Sequence, residues 1–335
     1  MKKFTVLLLI IVLIALCTLG AVACTQTDEN VIRLNEVTHS VFYAPMYVAI
    51  NLGYFEEEGL KIELTNGGGA DKTMAAVIAN EADIGFCGPE AAVYVNAQGS
   101  KNYPIVFGQL TKKDGSFLIG RTKQPNFKWT DLKGKEVIGG RKGGMPAMSL
   151  EHALRKNGVD IKNDLTLRYD IEFNLITAAF EGGTGEYCTM FEPLASQYEK
   201  NNKGYIIASV GEEAGNIPYT CFMATKSYID KNKDKVTKFM SAIIKGIDYV
   251  INSSSEDVAT ALMPSFPSTD KELLIQSVDR YKAIDAYMTS PVMSKDDYEH
   301  MIDILIESGS LEKRVAFKDI IDNKIVEGIL ASKKE

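Results

Sequence analysis

From Val31 onward the chain alternates short strand-like runs with helical patterns, and it does so twice over. That alternation constrains the fold more than any other feature, because strands separated by helices pair in parallel within an α/β sheet rather than in hairpins. In the first pass VIRLNEV reads as a strand and Ala44 to Leu52 as a helix, with Pro45 near its first position and Gly53 at its end. YFEEEGL adds a turn closed by Gly59, KIEL a strand, and the loop NGGGADK opens a helix running to about Ala79. ADIGFC is then a strand, PEAAVYVNAQ a helix starting at Pro89, and YPIVFGQL a strand.

The same grammar restarts near Asp131. LKGKEVIGG is turn plus strand, and RKGGMPAMSLEHALRKNG is a Gly-rich loop feeding a helix that stops at Gly158. LTLRYD, FNLITAAFEGG, EYCTM, EPLASQYEK and GYIIASV follow as strand, helix, strand, helix and strand. Pro45 matches Pro146 at an offset of 101 and Pro89 matches Pro193 at 104, which points to an internal structural repeat. After NIPYTCFMA the pattern turns helical to the C-terminus, punctuated by Pro264, Pro267 and Pro291. No long linker sets these helices apart, so they are expected to pack onto one of the two halves.

Hydrophobic content of 45% with 24% charged residues fits a soluble globular body, and 335 residues are ample for two units. The net charge of −7 argues against a nucleic-acid footprint. The N-terminus departs from this average. Lys2 and Lys3 precede FTVLLLIIVLIALCTLGAVA, and Cys24 follows at once, the layout of an export signal over residues 1–23. A plain membrane-spanning anchor is the competing reading of so long an apolar run. The small residues before Cys24 and the polar TQTDEN after it favour cleavage, with residues 24–30 as a tether.

Cys17 belongs to that segment, and Cys87, Cys188 and Cys221 remain in the body. Their odd number and wide spacing give neither a disulfide framework nor a zinc signature. A Cys188–Cys221 bridge and three buried thiols are both compatible, the latter being the simpler expectation. His39, His152 and His300 are scattered, and G-x-S-x-G, H-E-x-x-H and P-loop motifs are absent. No cofactor or metal is implied.

What recurs is a loop between each strand and the following helix N-terminus, the sheet edge where open α/β folds bind ligands. Helix N-termini there present unpaired N–H groups, and glycines let a ligand approach the backbone. The candidates on these loops are Ser40, Phe42 and Tyr43; Gly69 in the run Gly67 to Gly69; Cys87, Gly88 and Glu90; and Arg141, Gly144 and Met145. Tyr187 and Glu192 bracket the matching edge of the second half, and Tyr219 lies beside the return crossing between halves. Phe86 and Phe191 read as core. Tyr43→Ala and Glu192→Ala are expected to weaken ligand binding with little loss of stability.

Four blocks carry a family resemblance: HSVFYAPMYVAINLGYFEEEGLKIEL, NGGGADKTMAAVIANEADIGFCG, DLKGKEVIGGRKGG and EYCTMFEPLAS. Together they resemble the substrate-binding proteins of bacterial ABC importers, in the branch that includes nitrate, sulfonate, taurine and thiamine-pyrimidine-precursor binders. AVAC, from Ala21 to Cys24, likewise resembles a lipobox, which implies lipid on Cys24 and a body held on the outer side of the cell membrane. The resemblance implies an α/β, two-lobed periplasmic-binding-protein-like (type II) fold with the ligand in the inter-lobe cleft. Crossings would fall near Lys113 to Phe117 and Asn216 to Thr220, making lobe one residues 31–115 plus 219–335 and lobe two 116–218.

Lobe closure would capture a small solute and deliver it to a permease and its ATPase, the protein acting as a monomer. Lobe one would offer Ser40, Tyr43 and Gly88 to Glu90; lobe two would offer Arg141 to Met145, Tyr187 and Glu192. Phe42, Tyr43, Tyr187, Glu90 and Glu192 suit an aromatic heterocycle or amine better than a sulfonate or nitrate, for which Arg141 is the one strong cation. The resemblance also reaches the fungal enzyme that makes the thiamine pyrimidine, whose cysteine-rich motif has no counterpart here. A surface sensor on the same fold is the third alternative.

Overall fold

A computed structural model describes residues 30–333, so the N-terminal apolar run and Cys24 lie outside the described residues. Five strands form one sheet: β1 (Val31–Glu36), β2 (Lys61–Asn66), β3 (Ile84–Cys87), β4 (Pro104–Thr111) and, from much later in the chain, β10 (Thr220–Thr225). Between them run α1 (Ala44–Asn51), α2 (Tyr54–Glu57), α3 (Ala70–Ile78) and α4 (Glu90–Ala97). The second sheet holds β5 (Ser116–Gly120), β6 (Glu136–Ile138), β7 (Thr166–Arg168), β8 (Tyr187–Phe191) and β9 (Tyr205–Ser209). Its helices are α5 (Met145–Lys156), α6 (Ile176–Glu181), α7 (Leu194–Lys200) and α8 (Val210–Ala214). The rest is helical: α9 (Lys226–Lys231), α10 (Lys233–Asn252), α11 (Ser255–Leu262), α12 (Lys271–Ala283), α13 (Lys295–Glu307), α14 (Phe317–Ile320) and α15 (Lys324–Ser332).

The strand orders are β2-β1-β3-β10-β4 and β7-β6-β8-β5-β9, the same topology with one strand exchanged. β1 pairs parallel with β3, and β6 pairs parallel with both β7 and β8. β10 lies antiparallel between β3 and β4, as β5 does between β8 and β9. The repeated prolines fall at matching places. Pro45 and Pro146 sit in the first turns of α1 and α5, where a missing N–H costs nothing, and Pro89 and Pro193 precede α4 and α7.

Sequence patterning leaves β5 unassigned, because all of Ser116–Gly120 is buried and a strand covered on both faces shows no alternation. The connections on either side of it bring the two halves together. Ile217 N–H donates to Lys112 O at 2.9 Å and Tyr219 N–H to Thr111 O at 3.1 Å, so the two crossing segments run hydrogen-bonded side by side. The start of α8 packs on the first crossing without space for a side chain: a Cβ on Gly211 would lie 2.1 Å from Asp114 O. α10 approaches α1 just as closely, since a Cβ on Gly246 would meet Pro45 O at 2.1 Å.

Cys87, Cys188 and Cys221 are all free and buried. The Cys188–Cys221 pairing fails on topology: Cys188 is in β8 of the second sheet, while Cys221 stands opposite Cys87 in the first. Burial pushes the thiols of Cys87 and Cys221 well up, so they act as small apolar residues.

Candidate functional site

The C-terminal ends of β1, β2 and β3 meet those of β6 and β8 around a cavity of about 380 Å³. From the first sheet, β1 runs into Val37 and Thr38 and then into a tight turn, Val41–Tyr43, whose last residue reaches the cavity. β2 leads to Gly69 and Asp71, and β3 to Gly88 and Glu90. From the second sheet, β6 leads to Arg141, Gly144 and Met145, and β8 ends on Phe191. Tyr219 and Thr220 come from the return crossing.

Glu90, the first residue of α4, is 2% exposed. Burial raises its carboxyl to about 7, with its own N–H and that of Met145 at the start of α5 pulling the other way. Its Oε2 has no hydrogen-bond partner. Gly88 makes room for it, since a Cβ there would fall 1.9 Å from Glu90 Oε2. Gly88→Ala is therefore expected to swing the carboxyl out of place, lowering ligand affinity at least tenfold; titration calorimetry against the wild type checks this, and unchanged affinity contradicts it.

One turn further along α4, Tyr94 Oη donates to Gly143 O at 3.0 Å, joining the first half to the β6–α5 loop. At the mouth, Arg141 Nη1 pairs with Asp71 Oδ1 at 2.9 Å and lies 3.9 Å from Glu172 Oε2. Deeper in, the Tyr219 hydroxyl has no hydrogen-bond partner and burial holds its proton well above the usual range. It faces Asp114, whose Oδ1 accepts from Ser116 N–H at 2.6 Å and whose Oδ2 is unpartnered. Burial pushes the Asp114 carboxyl up to about 6. The rest of the wall is mostly aromatic and aliphatic, with Thr38, Lys142 and Thr220 among it, so the cavity is a largely apolar slot with a few unsatisfied polar atoms, the pattern of small-molecule sites.

Tyr43, Gly69, Gly88, Glu90, Arg141, Gly144, Met145 and Tyr219 are thus brought together, and five other candidates are not: Cys87 stays buried within its sheet opposite Cys221, and the remaining four turn elsewhere. Ser40 is buried in a capping role: its Oγ accepts from Phe42 N–H and donates to Glu192 O at 2.7 Å. Phe42 is fully buried behind the cavity, its ring 5.0 Å from Tyr281, 5.6 Å from Tyr219 and 5.8 Å from Phe191. Glu192 turns the opposite way, accepting from Ser196 N–H and Oγ–H and pairing with Arg280 at 2.7 Å. Tyr187 begins β8 rather than ending it, so it sits at the far end of the strand, its hydroxyl bonded to Gln124.

Phe191, read from sequence as core, lines the cavity instead, because it is the last residue of β8. Asp71 and Tyr94 have no place among the sequence candidates. Tyr94 carried a usable signal, since it lies four residues after Glu90 on one helix and so shares its face. Asp71 earns its role through a partner 70 residues away, which no local pattern reveals.

Two sheets of this order, enclosing a cavity at their loop ends, define the type II periplasmic-binding-protein fold. The chain belongs to the NMT1/THI5-like family, whose model matches residues 41–256. A Bacillus subtilis (strain 168) protein named "Putative binding protein YtlA" is 42% identical over 312 residues, 93% of each chain. The Aspergillus parasiticus 4-amino-5-hydroxymethyl-2-methylpyrimidine phosphate synthase is 24% identical over 227 residues, 63% of each. Among solved structures, the alkanesulfonate-binding protein SsuA of Xanthomonas axonopodis pv. citri aligns with a TM-score of 0.72 at 16% identity, over 88% of this chain and 99% of that one. The nitrate-binding protein NrtA of Synechocystis PCC 6803 aligns at 0.69 and 13% identity, over 91% and 89%. At such identities the structural likeness speaks for the fold.

Proposed function

We propose that this protein is the extracytoplasmic solute-binding component of an ABC importer, which captures one small organic solute and delivers it to a permease and its ATPase. The observation that carries this reading is the cavity itself, walled by loop ends from both sheets and crossed by Tyr94–Gly143 and Arg141–Asp71. Lobe one comprises residues 31–115 plus 219–335 and lobe two 116–218, hinging on the paired crossing segments. A solute touching both lobes stabilises the closed form only by that double contact. Residues 1–23 serve as an export signal and Cys24 carries lipid, which keeps a monomeric body at the outer side of the membrane.

Tyr43, Phe191 and Tyr219 offer aromatic surface and Glu90 offers an acceptor, so an aromatic heterocycle or amine suits the slot better than a sulfonate or nitrate. The full chain is expected to show a stoichiometric thermal shift with one such solute and no turnover; catalytic consumption of the solute contradicts the reading. Tyr94→Phe removes a bond made only across the cleft, worth about 1 kcal/mol. Solute affinity should fall roughly five-fold, with unfolding stability little changed. Calorimetry and denaturant unfolding on the same variant check the two halves of that statement.

A further inference from the structure

We infer that Glu90 acts as a charge filter: it admits solutes that bring an N–H donor or a positive charge, turns away anions, and couples binding to its own ionisation. The inference rests on the solute-binding reading above and deepens it. Both features of the cleft that would hold an anion are already engaged by the protein's own carboxylates. The N-terminus of α5, where Met145 N–H would meet an anionic ligand, faces the Glu90 carboxyl instead. Arg141 is paired with Asp71 and lies near Glu172. Lys142 also lines the cavity, but at an exposed position where water screens its charge.

The inward-facing Glu90 carboxyl has the opposite character: its Oε2 is a buried acceptor without a donor. The titratable groups facing Glu90 are Cys87 on β3, Cys221 on β10, Tyr94 on its own helix and Tyr219 from the crossing, and none of them is a cation. An ionised Glu90 in that setting has no counter-charge, so the carboxyl holds a proton near neutral pH. A ligand N–H supplies the missing donor, and a ligand cation supplies the missing charge. Above about pH 7, where the carboxyl is ionised, an anion would place like charges together in a water-poor slot.

Benzamidine, 4-aminopyrimidine, benzenesulfonate and nitrate, compared by thermal shift on the full chain at pH 6 and pH 8, form the test. Stabilisation by benzamidine or 4-aminopyrimidine is expected, with benzamidine binding roughly tenfold more weakly at pH 6, where Glu90 is mostly protonated, than at pH 8. Glu90→Gln should abolish that pH dependence. Stabilisation by benzenesulfonate or nitrate overturns the charge filter and leaves the solute-binding reading standing, as does a benzamidine response identical at both pH values. Silence from all four probes, together with a Glu90 carboxyl that titrates near 4.5 by carbon-13 NMR difference from Glu90→Gln, overturns the charge filter and leaves the solute-binding reading, which falls on turnover of its solute, standing. Silence with a titration near 7 overturns the admission of these bases alone.

Discussion

Glu90→Gln is expected to gain stability on the wild type by about 3 kcal/mol as pH rises from 4 to 8, measured by denaturant unfolding at both values. In the unfolded chain the carboxyl keeps its ordinary value of 4.5, whereas burial in the folded protein lifts it to about 7. Below 4.5 both states hold the proton and the group adds no pH dependence. Between 4.5 and 7 the folded state keeps a proton that the unfolded state has lost, so wild-type stability declines as pH rises. Above 7 both states are ionised and the loss levels off. Glutamine does not titrate, so the difference between the two proteins isolates this one group. A difference independent of pH contradicts the buried, unpartnered carboxyl that the charge filter requires.

Arg280→Met is expected to cost about 3 kcal/mol of folding stability, the scale for removing one partner of a buried ion pair. Glu192 has no side-chain exposure, and its Oε1 lies 2.7 Å from Arg280 Nη1. The same guanidinium reaches Ser196 Oγ at 2.7 Å and Glu199 Oε2 at 2.7 Å, fastening α12 to α7. Without it the carboxylate keeps its two bonds to Ser196 but loses its counter-charge. Adding Glu192→Gln should restore most of the loss, and a double-mutant cycle reads the coupling directly. Additive single effects contradict the pairing. The expectation that Glu192→Ala would weaken binding at little cost in stability therefore reverses, and Tyr43→Ala likewise empties a packed site, since Tyr43 is 2% exposed and stacks edge-on against Phe86 at 4.7 Å.

Strand–helix alternation made the architecture legible, and the proline offsets marked equivalent positions in the two halves. It also pointed to the edge where the cavity lies, because every strand of the parallel set ends at a loop that feeds a helix. It could not say which side of a loop a given side chain takes. Phe42 and Tyr43 are neighbours in a 3-10 turn, where successive residues point about 120° apart, so one ring lines the cavity and the other closes the core behind it. Glu192 and Tyr187 failed for a related reason. The pattern placed this strand over Glu186 to Met190, one residue early at both ends of β8, and of that strand the cavity receives only Phe191, while Glu192 is claimed by an arginine 88 residues away in a helix the motif gave no cause to consider. Long-range partners decide such orientations, and periodicity carries no information about them.

The central claim is that one cavity between two sheets holds one solute and returns it unchanged. Isothermal titration of the full chain with a stabilising base, followed by recovery of that base, tests it most directly. One equivalent bound per chain, with the compound recovered intact, is the result this account predicts. Consumption of the compound, or saturation at any other stoichiometry, would contradict it.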